Sequence, residues 1–128
     1  MDDFSAARER MVQQQIIRRG IESPRLLTVL RQVPRHRFIP PESQEYAYAD
    51  GPLPIGLGQT ISQPYIVALM TDLLQLDGSE TVLEVGTGSG YQAAILSRLA
   101  ARVYTVERHV SLAEHARQIL AELGCVNV

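Results

Sequence analysis

Val82-Leu83-Glu84-Val85-Gly86-Thr87-Gly88-Ser89-Gly90 sets an apolar run with a single acid directly ahead of three alternating glycines. Alternation followed by glycine predicts a β-strand at Thr81–Val85, a tight loop, and a helix over Tyr91–Leu99. A second β-rich run, Arg102–Val106, ends in Glu107. Strand, helix and strand in that order require parallel strands with helices on the sheet faces. Ser111-Leu112-Ala113-Glu114 has capping-box chemistry for a further helix to about Leu123, and Gly124 is placed to end it. Val126-Asn127-Val128 reads as the first residues of a third strand, so the sheet is expected to be incomplete at this point.

Upstream, residues 3–19 carry a polar helical pattern with Phe4, Met11, Val12, Ile16 and Ile17 as its apolar set, ended by Gly20. Ser23-Pro24 predicts a cap and a first-turn proline for a helix through Gln32. Pro34, Pro40 and Pro41 predict an extended connector over Val33–Ser43, with Arg35-His36-Arg37 as a solvated basic run. Tyr46–Gln59 is dense in Gly and Pro and predicts an ordered loop or small ribbon. A helix follows over Pro64–Leu74, with Ser62 as its expected N-cap.

The 128 residues are 45% hydrophobic and 20% charged, which suits one globular domain and leaves no room for two ordinary ones. A net charge of −2 supplies no basic field for nucleic acid or anionic lipid. The acidic N-terminus and the lack of a long apolar run predict neither a signal peptide nor a membrane span. Cys125 is the single cysteine, so no internal disulfide or zinc cluster is expected and a reducing cytoplasm is the expected compartment.

The glycine spacing places Tyr91 where the dinucleotide fingerprint G-x-G-x-x-G needs glycine. Glu84 is the more informative residue. A carboxylate beside the loop opposes a pyrophosphate, because two anions would compete for one helix N-terminus. It favours a ligand carrying an ammonium and a sulfonium, which points to S-adenosylmethionine. Glu107, at the end of the next strand, is placed to accept hydrogen bonds from both ribose hydroxyls. An NAD-type domain is disfavoured on the same grounds.

Residues 49–65, Ala-Asp-Gly-Pro-Leu-Pro-Ile-Gly-Leu-Gly-Gln-Thr-Ile-Ser-Gln-Pro-Tyr, together with Leu83–Gln92 and Val103–Arg108, resemble the protein-L-isoaspartate O-methyltransferases. The resemblance runs from about Met11 onward, and Gly58–Pro64 is its most specific part. It implies a Rossmann-like S-adenosylmethionine methyltransferase fold of the α/β class. Here that fold would be incomplete: an N-terminal helical segment and the first two to three strands of the parallel sheet. It divides the chain into residues 1–62, a helical and loop segment capping the active site, and residues 63–128, the first half of the methyltransferase domain.

The implied activity is protein repair. A methyl group passes from S-adenosylmethionine to the α-carboxyl of L-isoaspartyl residues in damaged proteins and peptides, leaving S-adenosylhomocysteine. Carried over residue by residue, Ser62 matches the active-site serine. Gln59, Thr60, Ile61 and Ser62, with Val67 beside them, form the strip closing over cofactor and acceptor. Glu84, Gly86, Thr87, Gly88 and Gly90 belong to the first cofactor motif, and Glu107 and Arg108 to the ribose end. No metal is expected, and the full-length protein is expected to be a monomer. The family continues past this point with a Gly-Asp-Gly stretch and further strands, so the chain reads as its N-terminal part.

The acceptor carboxylate is ionised at neutral pH and needs no general base. A neutral hydroxyl such as that of Ser62 can hold it without quenching its nucleophilicity, and no Ser-His-Asp signature surrounds Ser62. His109 and His115 read as helix-surface residues, Cys125 as core, and Tyr46 and Tyr48 as loop packing. The alternative is a truncated, non-catalytic fragment that is at most a weak nucleoside-binding module.

Overall fold

The structure, a computed structural model, describes residues 3–128. Met1 and Asp2, part of the acidic N-terminus, lie outside the described residues. Helix α1 spans Ser5–Met11 and runs on through a π-helical turn at Val12–Ile16 and a 3-10 turn at Ile17–Arg19. The single α-helix expected over 3–19 is therefore helical throughout but changes its winding, and the wide turn carries Val12 and Ile16 into the core. Gly20 ends it at φ 95°. Helix α2, Pro24–Gln32, starts as its sequence predicts, with the Ser23 hydroxyl accepting the Leu26 N–H at 3.4 Å.

The connector over Val33–Ser43 is not extended. Arg35–Phe38 and Pro41–Tyr46 are 3-10 helices, because proline bars the α-helical hydrogen bond but tolerates the first position of a short turn. Strands β1, Leu53–Gly56, and β2, Gln59–Ile61, make a small antiparallel ribbon whose register slips between Pro54 and Gly56. Helix α3 covers Pro64–Leu73. Its N-cap is Gln63, with no side-chain cap bond, so Ser62 does not serve as the expected cap.

Strand β3, Thr81–Val85, leads through the glycine loop to helix α4, Tyr91–Ser97; strand β4, Arg102–Val106, leads to helix α5, Val110–Glu122. The strands pair in parallel, with Val82 opposite Val103, Leu83 opposite Tyr104, and Glu84 opposite Thr105. One face of this pair, carrying Val82 and Val103, packs with Leu96 and Ala100. The other face is bare: Leu83, Val85, Tyr104 and Val106 are 65%, 81%, 55% and 52% exposed. The residues after Gly124 form no strand, and only the Asn127 carbonyl, accepting the Val103 N–H at 2.9 Å, touches the β4 ladder. Ser111 is not a cap either, since α5 begins at Val110 with His109 as N-cap.

A single apolar cluster runs from Met11, Ile16 and Leu30 through Phe38, Ile61 and Val67 to Tyr91, Ile95 and Leu120. It binds the N-terminal helices to α4 and α5, so the segment before residue 62 is packed onto the strand-bearing half. Gln92 adds a polar tie, donating to the Thr71 hydroxyl at 2.6 Å and fixing α3 against α4. Among the described residues no helix is long and apolar enough to cross a membrane.

Candidate functional site

The loop after β3 is built by backbone geometry. Gly86, Gly88 and Gly90 have φ of 93°, 56° and 94°, in the left-handed region that glycine adopts without a Cβ clash. The N–H groups of Gly86 and Thr87 both donate to the Val106 carbonyl, at 2.8 and 3.1 Å, so the loop is sewn to the end of β4. The Ser89 hydroxyl then accepts the Tyr91 N–H at 3.2 Å and starts α4. The three glycines do different work. A Cβ on Gly90 would lie 3.2 Å from the Ala116 Cβ, so Gly90 lets α5 approach the loop. A Cβ on Gly86 would meet nothing within 4 Å and would project into the open space the backbone lines.

Two acids flank this loop in different environments. The Glu84 carboxylate accepts from the Thr105 hydroxyl at 2.7 Å, and Thr105 in turn lies 2.5 Å from the Thr87 hydroxyl. Burial pushes the Glu84 carboxyl up from 4.5 to about 7, the Thr105 bond opposing and the Glu107 charge reinforcing it. Glu107 is held the other way: its carboxylate accepts the His109 N–H at 3.0 Å and the Gly88 N–H at 2.9 Å, which keeps it below the ordinary carboxylate range.

Glu84 lines a cleft of about 430 Å³ together with Thr60, Ile61, Ser62 and Val67, and with Gly86, Thr87 and Gly88 of the loop. Part of this cleft runs along the unpaired edge of β3 at Val82–Val85. A second cleft, of about 510 Å³, gathers Gln59, Gly86, Glu107 and Arg108, and Gly86 is common to both. The sequence candidates are thus brought together around Gly86, except Gly90, which packs on α5 and lines neither cleft. Among the described residues no Arg or Lys lines the 430 Å³ cleft. Ser62 is exposed, and its hydroxyl takes part in no hydrogen bond among the described residues.

A carboxylate that already occupies the Gly88 N–H, with a second at the loop's entrance, repels phosphate and suits a cationic ligand with vicinal hydroxyls. That donor set fits S-adenosylmethionine. Among the described residues no group of three or more His, Cys, Asp or Glu side chains is placed to hold a metal ion.

The basic run at Arg35–Arg37 corrects the sequence expectation. Arg35 is fully buried, His36 is 9% exposed, and only Arg37 reaches solvent, pairing with Glu122 at 2.6 Å. His36 stacks on Phe4 at 4.2 Å and its Nδ1 lies 2.9 Å from the Tyr48 hydroxyl. Arg35 donates through Nε to the Ala47 carbonyl at 2.7 Å and through Nη2 to the Ser62 carbonyl at 3.0 Å. Its guanidinium lies 5.0 Å from the Tyr91 ring centroid. The signal available in the sequence was the apolar setting of the run, between Val33 and Phe38-Ile39. Thr105 was also missed, since a hydroxyl in a strand carries no motif.

A family model described as Protein-L-isoaspartate(D-aspartate) O-methyltransferase matches residues 6–128. The chain is 60% identical over 128 residues to a protein-L-isoaspartate O-methyltransferase of Trichlorobacter lovleyi, covering all of this chain and 59% of that protein. It is 60% identical over 126 residues to one of Geobacter metallireducens, of which it covers 58%. A solved protein-L-isoaspartate O-methyltransferase superposes with a TM-score of 0.80 at 31% identity, over 94% of this chain and 40% of that one. A putative Plasmodium falciparum member, in complex with S-adenosyl-L-homocysteine, superposes at 0.73 and 25% identity, over 95% of this chain and 56% of that one. The chain spans a little over half the length of the relatives it matches.

Proposed function

The chain belongs to the protein-L-isoaspartate(D-aspartate) O-methyltransferase family, and we propose that it supplies the glycine loop and acceptor strip of an enzyme that methylates L-isoaspartyl carboxyl groups in damaged proteins. The observation that carries this is the unengaged Ser62 hydroxyl in the same cleft as Glu84 and the glycine loop, with no basic side chain of the described residues on the lining. The names of its relatives, and the S-adenosyl-L-homocysteine held by the Plasmodium falciparum protein, support the same reading.

When bound, S-adenosylmethionine supplies an electrophilic methyl on a sulfonium; methyl passes to a carboxylate oxygen, the carbon–sulfur bond breaks, and methyl ester and S-adenosylhomocysteine result. What this chain contributes is placement. Glu84 and Glu107 meet the ammonium and ribose ends with negative charge. The backbone of Gly86–Gly88 allows close approach. Ser62 donates to the acceptor carboxylate and orients it, and the buried side chains of Ile61 and Val67 keep water from the reacting atoms. The acceptor has already lost its proton, so no residue acts as a general base. The segment before residue 62 acts as the cap of the site, and the full-length enzyme is read as a cytoplasmic monomer.

The test uses labelled S-adenosylmethionine with an isoaspartyl peptide and the aspartyl peptide of the same sequence. Base-labile label in the isoaspartyl peptide alone is expected. Absence of transfer by a polypeptide carrying this sequence at the full length of its relatives refutes the reading. A second reading has its own observation: β3 leaves an edge unpaired, the outer edge of β4 meets only the Asn127 carbonyl, and one sheet face is bare. It holds that these 128 residues by themselves are only a weak nucleoside-binding module. Calorimetry with S-adenosylhomocysteine on the monomeric 128-residue chain separates the two.

A further inference from the structure

Arg35 does not itself line the cleft, but two of the residues it holds do. Ser62, whose carbonyl receives Nη2 at 3.0 Å, and Tyr91, whose ring lies 5.0 Å from the guanidinium, both line the 430 Å³ cleft. The Nε arm reaches the Ala47 carbonyl at 2.7 Å, in the loop that leads to β1. None of the carboxylates of the described residues forms an ion pair with Arg35, and its Nη1 is buried without a hydrogen-bond partner. An interior cation with no carboxylate partner is costly, and an apolar side chain of similar volume would fill the space at less cost. Packing therefore does not account for the guanidinium. Its rigid fork does: two arms at a fixed angle hold two carbonyls while the charge sits over an aromatic ring, which an ammonium on a flexible stem cannot reproduce.

We propose that Arg35 is a positioning residue that keys the acceptor strip, through the Ser62 carbonyl, to the Tyr91 end of the glycine loop. It touches neither methyl donor nor acceptor. By fixing the Ser62 backbone it sets where the Ser62 hydroxyl points, and it places a positive charge behind the acceptor position without a direct clamp on the carboxylate. The inference rests on the methyltransferase reading for its kinetic consequence, but its structural consequence stands apart from that reading.

The experiment compares wild type, Arg35→Lys, Ser62→Ala and the double variant in the full-length protein. Arg35→Lys is expected to lower kcat/KM for an isoaspartyl peptide about tenfold while S-adenosylhomocysteine affinity stays within about twofold. On the Ser62→Ala background the same substitution is expected to cost less than about twofold, because no hydroxyl remains to be aimed. Hydrogen exchange reads the placement without turnover: amides of residues 59–62 are expected to exchange about tenfold faster in Arg35→Lys, with β3 and β4 unchanged. Arg35→Met, which removes the buried charge together with the clamp, is the second variant and is expected to show the same confined loosening. A full loss that persists on the Ser62→Ala background, exchange that rises evenly over the chain, or an unaltered strip in both variants overturns the proposal. Confined loosening in a protein whose wild type transfers no methyl would uphold the positioning role and defeat only the functional reading.

Discussion

The carboxylate of Glu107 closes on the backbone of Gly88, Oε1 accepting its N–H at 2.9 Å, so the acid after β4 is tied directly to the middle glycine after β3. Glu107→Ala removes both that bond and the proposed ribose acceptor. We expect S-adenosylhomocysteine to bind about 10- to 100-fold more weakly, the range for losing charge-assisted hydrogen bonds. Isothermal titration measures it, and an unchanged Kd would take Glu107 out of the site.

Glu84 should behave in the opposite sense with pH. Its carboxyl is raised from 4.5 to about 7, chiefly by burial, so the folded protein holds a proton there that the unfolded chain has released. Stability from this group is therefore greatest below the unfolded value and declines as pH rises through that window, staying lost above it. Glu84→Gln keeps the acceptor for Thr105 and drops the charge. It is expected to stabilise the protein by on the order of 1–3 kcal/mol at pH 8 and by nothing at pH 4. The same variant is expected to bind S-adenosylhomocysteine about tenfold more weakly at pH 8, and wild-type affinity should rise with pH across 7. A lower melting temperature for the variant at pH 8 contradicts this account.

The glycines should separate folding from binding. Gly90→Ala forces a Cβ to 3.2 Å from Ala116 at a φ of 94°, and is expected to cost about 1–3 kcal/mol in a denaturant titration. Gly86→Ala meets nothing within 4 Å and carries only the backbone strain of its positive φ. It should therefore cost about 1 kcal/mol of stability yet lose most ligand affinity, because its methyl enters the cleft. Equal stability losses in the two variants would show that the loop is uniformly packed.

Asp50 anchors the segment leading to the strip. Arg19 and the Gln63 amide, which donates at 2.7 Å, hold its carboxyl down at about 2. A depressed carboxyl contributes stability above its ordinary value and loses it as pH falls from there through the depressed one. Asp50→Asn is expected to lower the melting temperature slightly at neutral pH and by less at pH 2, the pair being solvent-exposed and screened by salt. Carboxyl carbon NMR gives the midpoint directly, and a midpoint near 4 would mean that Arg19 does not hold Asp50 in solution.

Much of the chain was readable because its signals are local. Alternation over Thr81–Val85, proline after Ser23, and glycine at positions 20 and 124 act on their own neighbours, and the elements follow. Two capping assignments went astray. Ser62 and Ser111 have cap chemistry, but α3 starts at Pro64 with Gln63 as its N-cap, and α5 starts at Val110 behind a His109 N–H that bonds the Glu107 carboxylate, a partner a cap pattern does not encode. Arg35 was hidden more deeply. Its partners are carbonyls of Ala47 and Ser62 and the ring of Tyr91, and any residue supplies a carbonyl. Apart from its apolar flanks at Val33 and Phe38-Ile39, nothing local separates this buried arginine from a solvated one until the chain is folded.

The pairing of Leu83 with Tyr104 and Glu84 with Thr105 makes the chemistry of the cleft a matter of parity. In β3 the even positions turn inward and the odd ones, Leu83 and Val85, turn to the bare face. A frame error of one residue between Glu80 and Gly86 would do more than weaken a short sheet. It would exchange a carboxylate for an isobutyl or isopropyl group at the mouth of the glycine loop and strand the charge on the far side. The cofactor preference is thus written in the counting of the strand, and a deletion that leaves every side chain of the loop in place could still erase it.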